Sequence, residues 1–230
     1  MKNGQAFSAV IFDLDGVLTD TAHYHYLAWK RMAEKLGVPF DEAFNEQLKG
    51  VDRMGSLALI LARGGVALPD TEQQKLAEEK NADYLNLISS MSPADLLPGA
   101  LQVLRQIRQQ GIKTGLASAS KNAQLVLDKL GISDCFDTVV DANHVINGKP
   151  DPEIFLKAAA QLGVEAHRCL GVEDSLAGIR SIKSAGMTAL GIGDPQTLTQ
   201  ADMVIAGLHQ FDLSGLLAMQ PSDGTVLIHP

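Results

Sequence analysis

Cysteine is nearly absent from this 230-residue chain; the two present, Cys135 and Cys169, are each followed by an apolar residue. No Cys-x-x-Cys pair or zinc-ligand spacing occurs, which excludes a disulfide-stapled scaffold and a structural zinc site. Two buried, reduced thiols are the expectation. Basic charge is also short: 19 Lys and Arg face 27 Asp and Glu, for a net charge of −8. That balance argues against nucleic acid or an anionic membrane as the main partner. Long apolar runs are missing, none approaching the ~20 residues of a membrane span, and no segment resembles a signal peptide. Low-complexity sequence is missing too. A cytoplasmic protein with no membrane partner is the expectation.

Apolar residues make up 46% of the chain. This is enough for a sizeable core, as one large domain or a domain with an insertion. An acidic protein can hold an anionic substrate only where the site gathers its own cations. Local lysines, arginines and metal ligands are therefore the features to look for.

The most informative stretch is Asp13-Leu14-Asp15-Gly16-Val17-Leu18-Thr19, directly after the apolar run Ala9-Val10-Ile11-Phe12. Side chains two apart on an extended chain point the same way, so a short strand delivers two carboxylates to one place. Like charges held that close need a cation or a proton between them. In such a pair Asp13 can attack phosphorus as nucleophile and Asp15 can carry the proton of the leaving or attacking oxygen. Gly16 permits a tight turn that exposes N–H groups. A lone Asp after a strand is otherwise an N-cap or an Asx turn.

After a strand at 7–12, the spacing predicts helices over 21–36, 42–49, 53–62 and 71–89, with Asp70 as N-cap of the last. No strand is evident between 20 and 90, so this block reads as an all-helical insertion. From Gly99 the pattern alternates: helix 100–110, strand 112–117, helix 122–130, strand 137–140, a helix to Leu162, strand 168–172, helix 175–185, strand 187–191 and strand 203–205. Asp151 is the expected N-cap of the helix to Leu162, with Pro152 at its first position. Repeated β-α units predict a parallel sheet covered on both faces, with ligands beyond the carboxyl ends of its strands. That rule selects Asp13 and Asp15, then Ser118, then Glu173 and Asp174.

Ser118 and the N–H groups after it can hold phosphate oxygens at a helix N-terminus, though a serine-rich strand end is also an ordinary cap. Glu173 and Asp174 can complete an oxygen-rich Mg2+ site with Asp13, or simply cap the following helix. Lys149 is a cation in a strand-to-helix loop beside this mouth, placed to balance an aspartyl phosphate.

These motifs, in this order, resemble the haloacid-dehalogenase superfamily of aspartate-nucleophile phosphotransferases. The resemblance implies an α/β fold, a Rossmann-like parallel sheet core over residues 1–19 and 92–230, with a small inserted α-helical cap over 20–91. Three segments are further similar to the β-phosphoglucomutase family: Thr19 to Lys30, Phe44 to Ser56, and Ala119-Ser120-Lys121-Asn122. That similarity implies a Mg2+-dependent, monomeric mutase acting on a small phosphosugar, with β-D-glucose 1,6-bisphosphate as primer and intermediate. Carried over by residue, His25 hydrogen-bonds Asp15 and switches it on closure. Lys49, Gly50 and Val51 contact the sugar, and Arg53 grips the phosphate that is not transferred. Ser118, Ala119 and Lys149 meet the transferring phosphoryl, and Ser120, Lys121 and Asn122 also bind substrate. Trp29, Ser56 and Lys80 match substrate-facing positions. The metal is held by Asp13, the Asp15 backbone carbonyl, Glu173 and Asp174.

Each of these has a plainer reading. His25 alone is a helix-surface histidine, Arg53 and Lys80 are solvated charges, and Trp29, spaced with Met32 and Ala33, is a core residue of the helical block. Met54-Gly55 departs from the family pattern, where polar or acidic residues are expected, and this departure bears on specificity. Gly64-Gly65 and the tail from about 213 carry no motif. Two other functions share the same core residues: a Mg2+-dependent sugar-phosphate phosphatase, with water as acceptor, and a non-catalytic phosphosugar sensor. The set His25, Lys49, Gly50 and Arg53 separates the mutase from the first, and intact Asp13, Asp15, Lys149 and Asp174 argue against the second.

Overall fold

The computed structural model describes residues 7–48 and 50–218. Strand β1 (Ala9–Phe12) is buried at all four positions. Val10 and Phe12 enter one apolar cluster, and Ala9 and Ile11 enter another. A strand buried on both faces belongs inside a parallel sheet. Among the described residues the sheet has six strands, adding β2 (Lys113–Leu116), β3 (Thr138–Val139), β4 (Cys169–Glu173), β5 (Thr188–Ile192) and β6 (Met203–Ile205). Their order is β3-β2-β1-β4-β5-β6, parallel throughout. The order reverses between β1 and β4, and the crevice beyond their carboxyl ends is where such sheets bind ligands.

Between β1 and β2 the chain forms α1 (Ala22–Lys35), α2 (Glu42–Asn45), α3 (Arg53–Gly64) and α4 (Asp70–Leu87), with no strand among the described residues. Local chemistry sets the starts. The Asp41 carboxylate accepts from Phe44 N, and Asp52 accepts from Met54 N and Gly55 N. Trp29, Met32, Phe44, Leu57, Ile60 and Ala77 build a separate apolar cluster. Pairs on the outer face, Arg31–Asp83 and Lys35–Glu79, join α1 to α4. Being exposed, each contributes little to stability.

Asp70 is not the N-cap of α4. Pro69 takes that position without a side-chain cap, its extended ψ of 152° leading into the helix while its carbonyl accepts from Glu72 N and Gln73 N. Asp70 and Glu72 instead lie in the first turn, where the helix dipole favours negative charge.

On the Phe12 face of the sheet lie α5 (Ala100–Gln109) and α6 (Ala123–Leu130), through Leu104, Ile107, Val126 and Leu127. On the Ile11 face lie α7 (Glu153–Leu162) and α8 (Leu176–Ser184), through Phe155, Ala158, Ile179 and Ile182. Helix α9 (Leu213–Ala218) follows β6. Helix α7 starts one residue later than the sequence predicts. Pro152 sits at the cap position, yet the Asp151 carboxylate still accepts from Glu153 N at 2.9 Å. Cys169 is buried, but Cys135, in a short turn after α6, is only partly so; neither forms a disulfide. No helix among the described residues is long and apolar enough to cross a membrane.

The two chain crossings between the sheet and the helical block are stitched together. Leu97 N donates to Leu18 O at 2.9 Å, and Thr19 Oγ1 donates to Asp95 O at 2.8 Å. Tyr84 and Ile88, at the end of α4, also pack into the cluster on the Phe12 face.

Candidate active site

The register levels three strand ends. Phe12 lies beside Leu116 on one side and Val172 on the other. Asp13, Ser118 and Glu173 therefore emerge at one mouth, with Asp13 N bonded to Val172 O at 2.9 Å. Glu173 is the last residue of β4 rather than the first beyond it.

Lys149 joins the two buried carboxylates. Its Nζ donates to Asp13 Oδ1 and to Glu173 Oε2, both at 2.8 Å, and its side chain is 1% exposed. Burial opposes the charge on Lys149, but Asp13 and Glu173 outweigh it and raise the ammonium above its ordinary value. Burial is also the main influence on Asp13, lifting its carboxyl to about 6 despite Lys149. The second oxygen of Glu173 accepts from Asp174 N, Ser175 N and Ser175 Oγ. Both Glu173 oxygens are thus engaged, so Glu173 is also the buried counter-ion of Lys149, beside its expected place in the metal site. The cap of α8 is Ser175, whose Oγ accepts from Gly178 N.

Gly16 has φ +75°, and a Cβ there would lie 2.1 Å from Asp174 Oδ2. Glycine is needed twice over, for the left-handed turn and for the close approach of Asp174. Carboxylate oxygens of Asp13, Glu173 and Asp174 lie within 4.8 Å of one another. Hard oxygen donors at this spacing fit a magnesium ion. Lys149 bonds Asp13 and Glu173 alike, and the carboxylates of Asp13, Glu173 and Asp174 together supply the donor set.

Asp15 lies at the same mouth and lines the cavity beyond it. Its Oδ1 is buried without a hydrogen-bond partner, as are Thr21 Oγ1 and Tyr84 OH on the adjoining helices. Burial, and then the charge of Asp13, hold the Asp15 carboxyl up at about 8. A carboxyl so placed can keep its proton or lose it near neutral pH, as a general acid and base must.

The helical block forms the opposite wall. His25 does not hydrogen-bond Asp15. Its Nδ1 lies 2.7 Å from Lys80 Nζ, and its ring stacks on Tyr84 at 4.0 Å. Burial, with Lys80 and Arg53 nearby, keeps His25 well below its ordinary value, so the neutral ring accepts from the lysine. Burial first, then Arg53, lowers Lys80 to about 7. The Lys80 ammonium also sits over the Trp29 ring at 4.6 Å and the Tyr84 ring at 5.0 Å. Trp29 is buried in the helical cluster and lines the cavity too, so both sequence readings of it apply.

Arg53, the first residue of α3, faces the same cavity together with Gly50, Val51 and Ser56. A Cβ on Gly50 would lie 3.0 Å from Ser175 Oγ, so this part of the helical block approaches the sheet mouth closely. The expected substrate contact Lys49 lies outside the described residues. From the sheet side come Ala119, Ser120, Lys121 and Asn122. Ser118, 1% exposed, stands behind them with Oγ accepting from Ser120 N at 3.1 Å. It does not lie at the helix start, because α6 begins only at Ala123. One cavity, about 820 Å³ with its open mouth included, connects Asp13 and Asp15 to Arg53 and Lys80. The sequence reading missed Asn45 and Asn81, which line it, and Tyr84, which supports His25. Tyr84 was discoverable, since Ala77, Lys80 and Tyr84 share one inward face at helical spacing. The uniformly polar surroundings of Asn81 gave no such signal.

A doubly wound sheet with this aspartate mouth and an inserted helical wall defines a class of phosphoryl-transfer enzyme. The haloacid dehalogenase-like hydrolase family model matches residues 7–186, and the chain belongs to that family. It is 52% identical to the β-phosphoglucomutase of Bacillus subtilis, over 86% of this chain and 88% of the relative. It is 30% identical to a phosphorylated carbohydrates phosphatase of Thermotoga maritima, over 85% and 92%. The crystal structure of a β-phosphoglucomutase from Clostridium difficile superposes with a TM-score of 0.90 at 46% identity, covering 91% of this chain and 95% of that one.

Proposed function

We infer that the chain catalyses the interconversion of β-D-glucose 1-phosphate and D-glucose 6-phosphate, as a Mg2+-dependent phosphomutase. The observation that carries this reading is the single cavity shared by the Asp13–Asp15 pair and the cations Arg53 and Lys80. A phosphatase needs only the first half of that cavity. A mutase must also hold the end of the sugar that is not reacting.

In the proposed reaction, phosphorylated Asp13 meets β-D-glucose 1-phosphate with its 6-hydroxyl toward the sheet mouth. Asp15 takes the hydroxyl proton while the bond from O6 to phosphorus forms and the bond to Asp13 breaks. The product is β-D-glucose 1,6-bisphosphate. After this intermediate turns over, Asp13 attacks the phosphorus on C1, and Asp15 returns its proton to the departing O1. Glucose 6-phosphate leaves and Asp13 is phosphorylated again. Lys149 balances charge on Asp13, and the loop after Ser118 offers N–H groups to the phosphoryl oxygens; contrary to expectation, the N–H groups of the Gly16 turn are bonded to Thr19 O and Leu14 O. A magnesium ion held by Asp13, Glu173, Asp174 and the Asp15 carbonyl would supply charge neutralisation for the transferring group.

Residues 20–91 act as a cap over a core of residues 1–19 and 92–230, with Arg53 gripping the distal phosphate. Lys49, Gly50, Val51, Trp29, Ser56 and Lys80 hold the sugar, and closure keeps water from the aspartyl phosphate. His25 acts through Lys80 rather than directly on Asp15. The charge of a phosphosugar, which keeps it inside the cell, supports a cytoplasmic enzyme.

The test supplies the α and β anomers of glucose 1-phosphate separately, with Mg2+ and a catalytic amount of the 1,6-bisphosphate. The β anomer should be converted to glucose 6-phosphate, with a lag when the primer is omitted. Release of inorganic phosphate without isomerisation would overturn the assignment in favour of a phosphatase.

A further inference from the structure

Asn81 sits on α4, inside the helical wall of the cavity, and bonds to both sides. Its Oδ1 accepts from Arg53 Nη2 at 2.8 Å and from Asn122 Nδ2 at 2.7 Å. Arginine has no acceptor, so the Asn81 carbonyl oxygen, not its amide nitrogen, must face Arg53. That in turn makes Asn122 present its amide nitrogen to Asn81. Asn122 N donates onward to Ser120 Oγ at 3.2 Å, and Ser120 N donates to Ser118 Oγ at 3.1 Å. One hydrogen-bonded path therefore runs from an arginine of the helical block to the serine loop after β2.

We propose that Asn81 is a positioning residue: its side-chain carbonyl gathers Arg53 from the cap and Asn122 from the core into one donor set for the non-reacting phosphate of the substrate. This rests on the reading of the cavity as a phosphosugar site. Each donor spends one N–H on Asn81. Arg53 retains four more and Asn122 one, so the pair is aligned without being exhausted. A neutral acceptor is required. A carboxylate at this position would pair with Arg53 and repel the arriving phosphate. The alignment also crosses the gap between cap and core, so the same carbonyl ties distal-phosphate binding to closure.

The experiment compares Asn81→Ala and Asn81→Asp with the parent enzyme on two substrates, with melting temperatures recorded alongside. Glucose 1-phosphate carries a phosphate for the Arg53 end, whereas acetyl phosphate phosphorylates Asp13 without one. For Asn81→Ala, KM for glucose 1-phosphate should rise about 10-fold with a smaller change in kcat. The ratio of kcat/KM for glucose 1-phosphate to that for acetyl phosphate should fall by a similar factor. Asn81→Asp should lower that ratio further although it keeps an oxygen acceptor. Equal losses on both substrates, or an unchanged KM for glucose 1-phosphate, would overturn the proposal, and a lowered melting temperature does not excuse equal losses. Should the parent enzyme release phosphate instead of isomerising, the mutase reading fails on its own. The Asn81 ratio is then read from hydrolysis of glucose 6-phosphate.

Discussion

The two walls of the cavity solve different electrostatic problems. At the sheet mouth, Lys149 is shared between Asp13 and Glu173, and Glu173 accepts three further hydrogen bonds from its own turn. A buried polar network satisfied to that degree is rigid. Across the cavity, Lys80 has no carboxylate within ion-pair distance among the described residues and rests on a neutral histidine and two aromatic rings, while Arg53 is held by an asparagine. One wall carries internally balanced charge, and the other holds its basic groups on neutral partners, with Asp15, Asp83 and Glu78 acting at longer range. On the proposed function, that difference places chemistry at the sheet mouth and selection on the helical wall.

The most severe break of the core wall is Asp13→Asn, which removes the nucleophile and should lower turnover by about 10⁴-fold or more while leaving the fold intact. Isomerase assays with circular dichroism as a control check this. Next, Lys149→Met strands two buried carboxylates. Denaturant unfolding at pH 7 should show a loss of about 3–5 kcal/mol. On the cap wall, Arg53→Ala should raise KM for glucose 1-phosphate roughly 100-fold with a smaller change in kcat, and should not destabilise the protein measurably. Equal stability losses for Lys149→Met and Arg53→Ala would erase the contrast between the walls.

The smallest expected effect concerns Asp15. Its folded-state carboxyl, raised from 3.8 to about 8, binds a proton that the unfolded chain releases, so the native state holds more protons across that window. Stability of the metal-free protein should therefore fall as pH rises from about 4 to 8. Asp15→Asn reduces this slope, Asp13 keeping its own share of it, and at pH 8 should be more stable than the parent. Thermal melts across pH, with and without the substitution, measure it. A parallel pair of curves would contradict the raised carboxyl.

The sheet and its mouth were legible in the sequence because their signals are local. Asp13, Asp15, Asp174 and Lys149 each follow a strand or open a helix, and the register brings them level. Glu173 was legible as an acidic group at the mouth, but its bond to Lys149 was not. That contact depends on Lys149, 24 residues away, taking one oxygen, and on Ser175 folding back onto the other. The cap wall was less legible, since His25, Lys80 and Asn81 meet only through the packing of α1 on α4. The expected bond from His25 to Asp15 gave way to one with Lys80, a buried ammonium that needs an acceptor more than a neutral imidazole needs a carboxylate.

On the proposed function, the cap makes a sugar hydroxyl, rather than water, the acceptor of the phosphoryl group on Asp13. Phosphorus NMR tests this by following glucose 6-phosphate and inorganic phosphate together, at rising concentrations of β-D-glucose 1-phosphate with Mg2+ and primer. Transfer to sugar should saturate and exceed hydrolysis by about 100-fold, as closure over a gripped distal phosphate requires. One inorganic phosphate released per turnover, at a rate indifferent to the sugar acceptor, would contradict it.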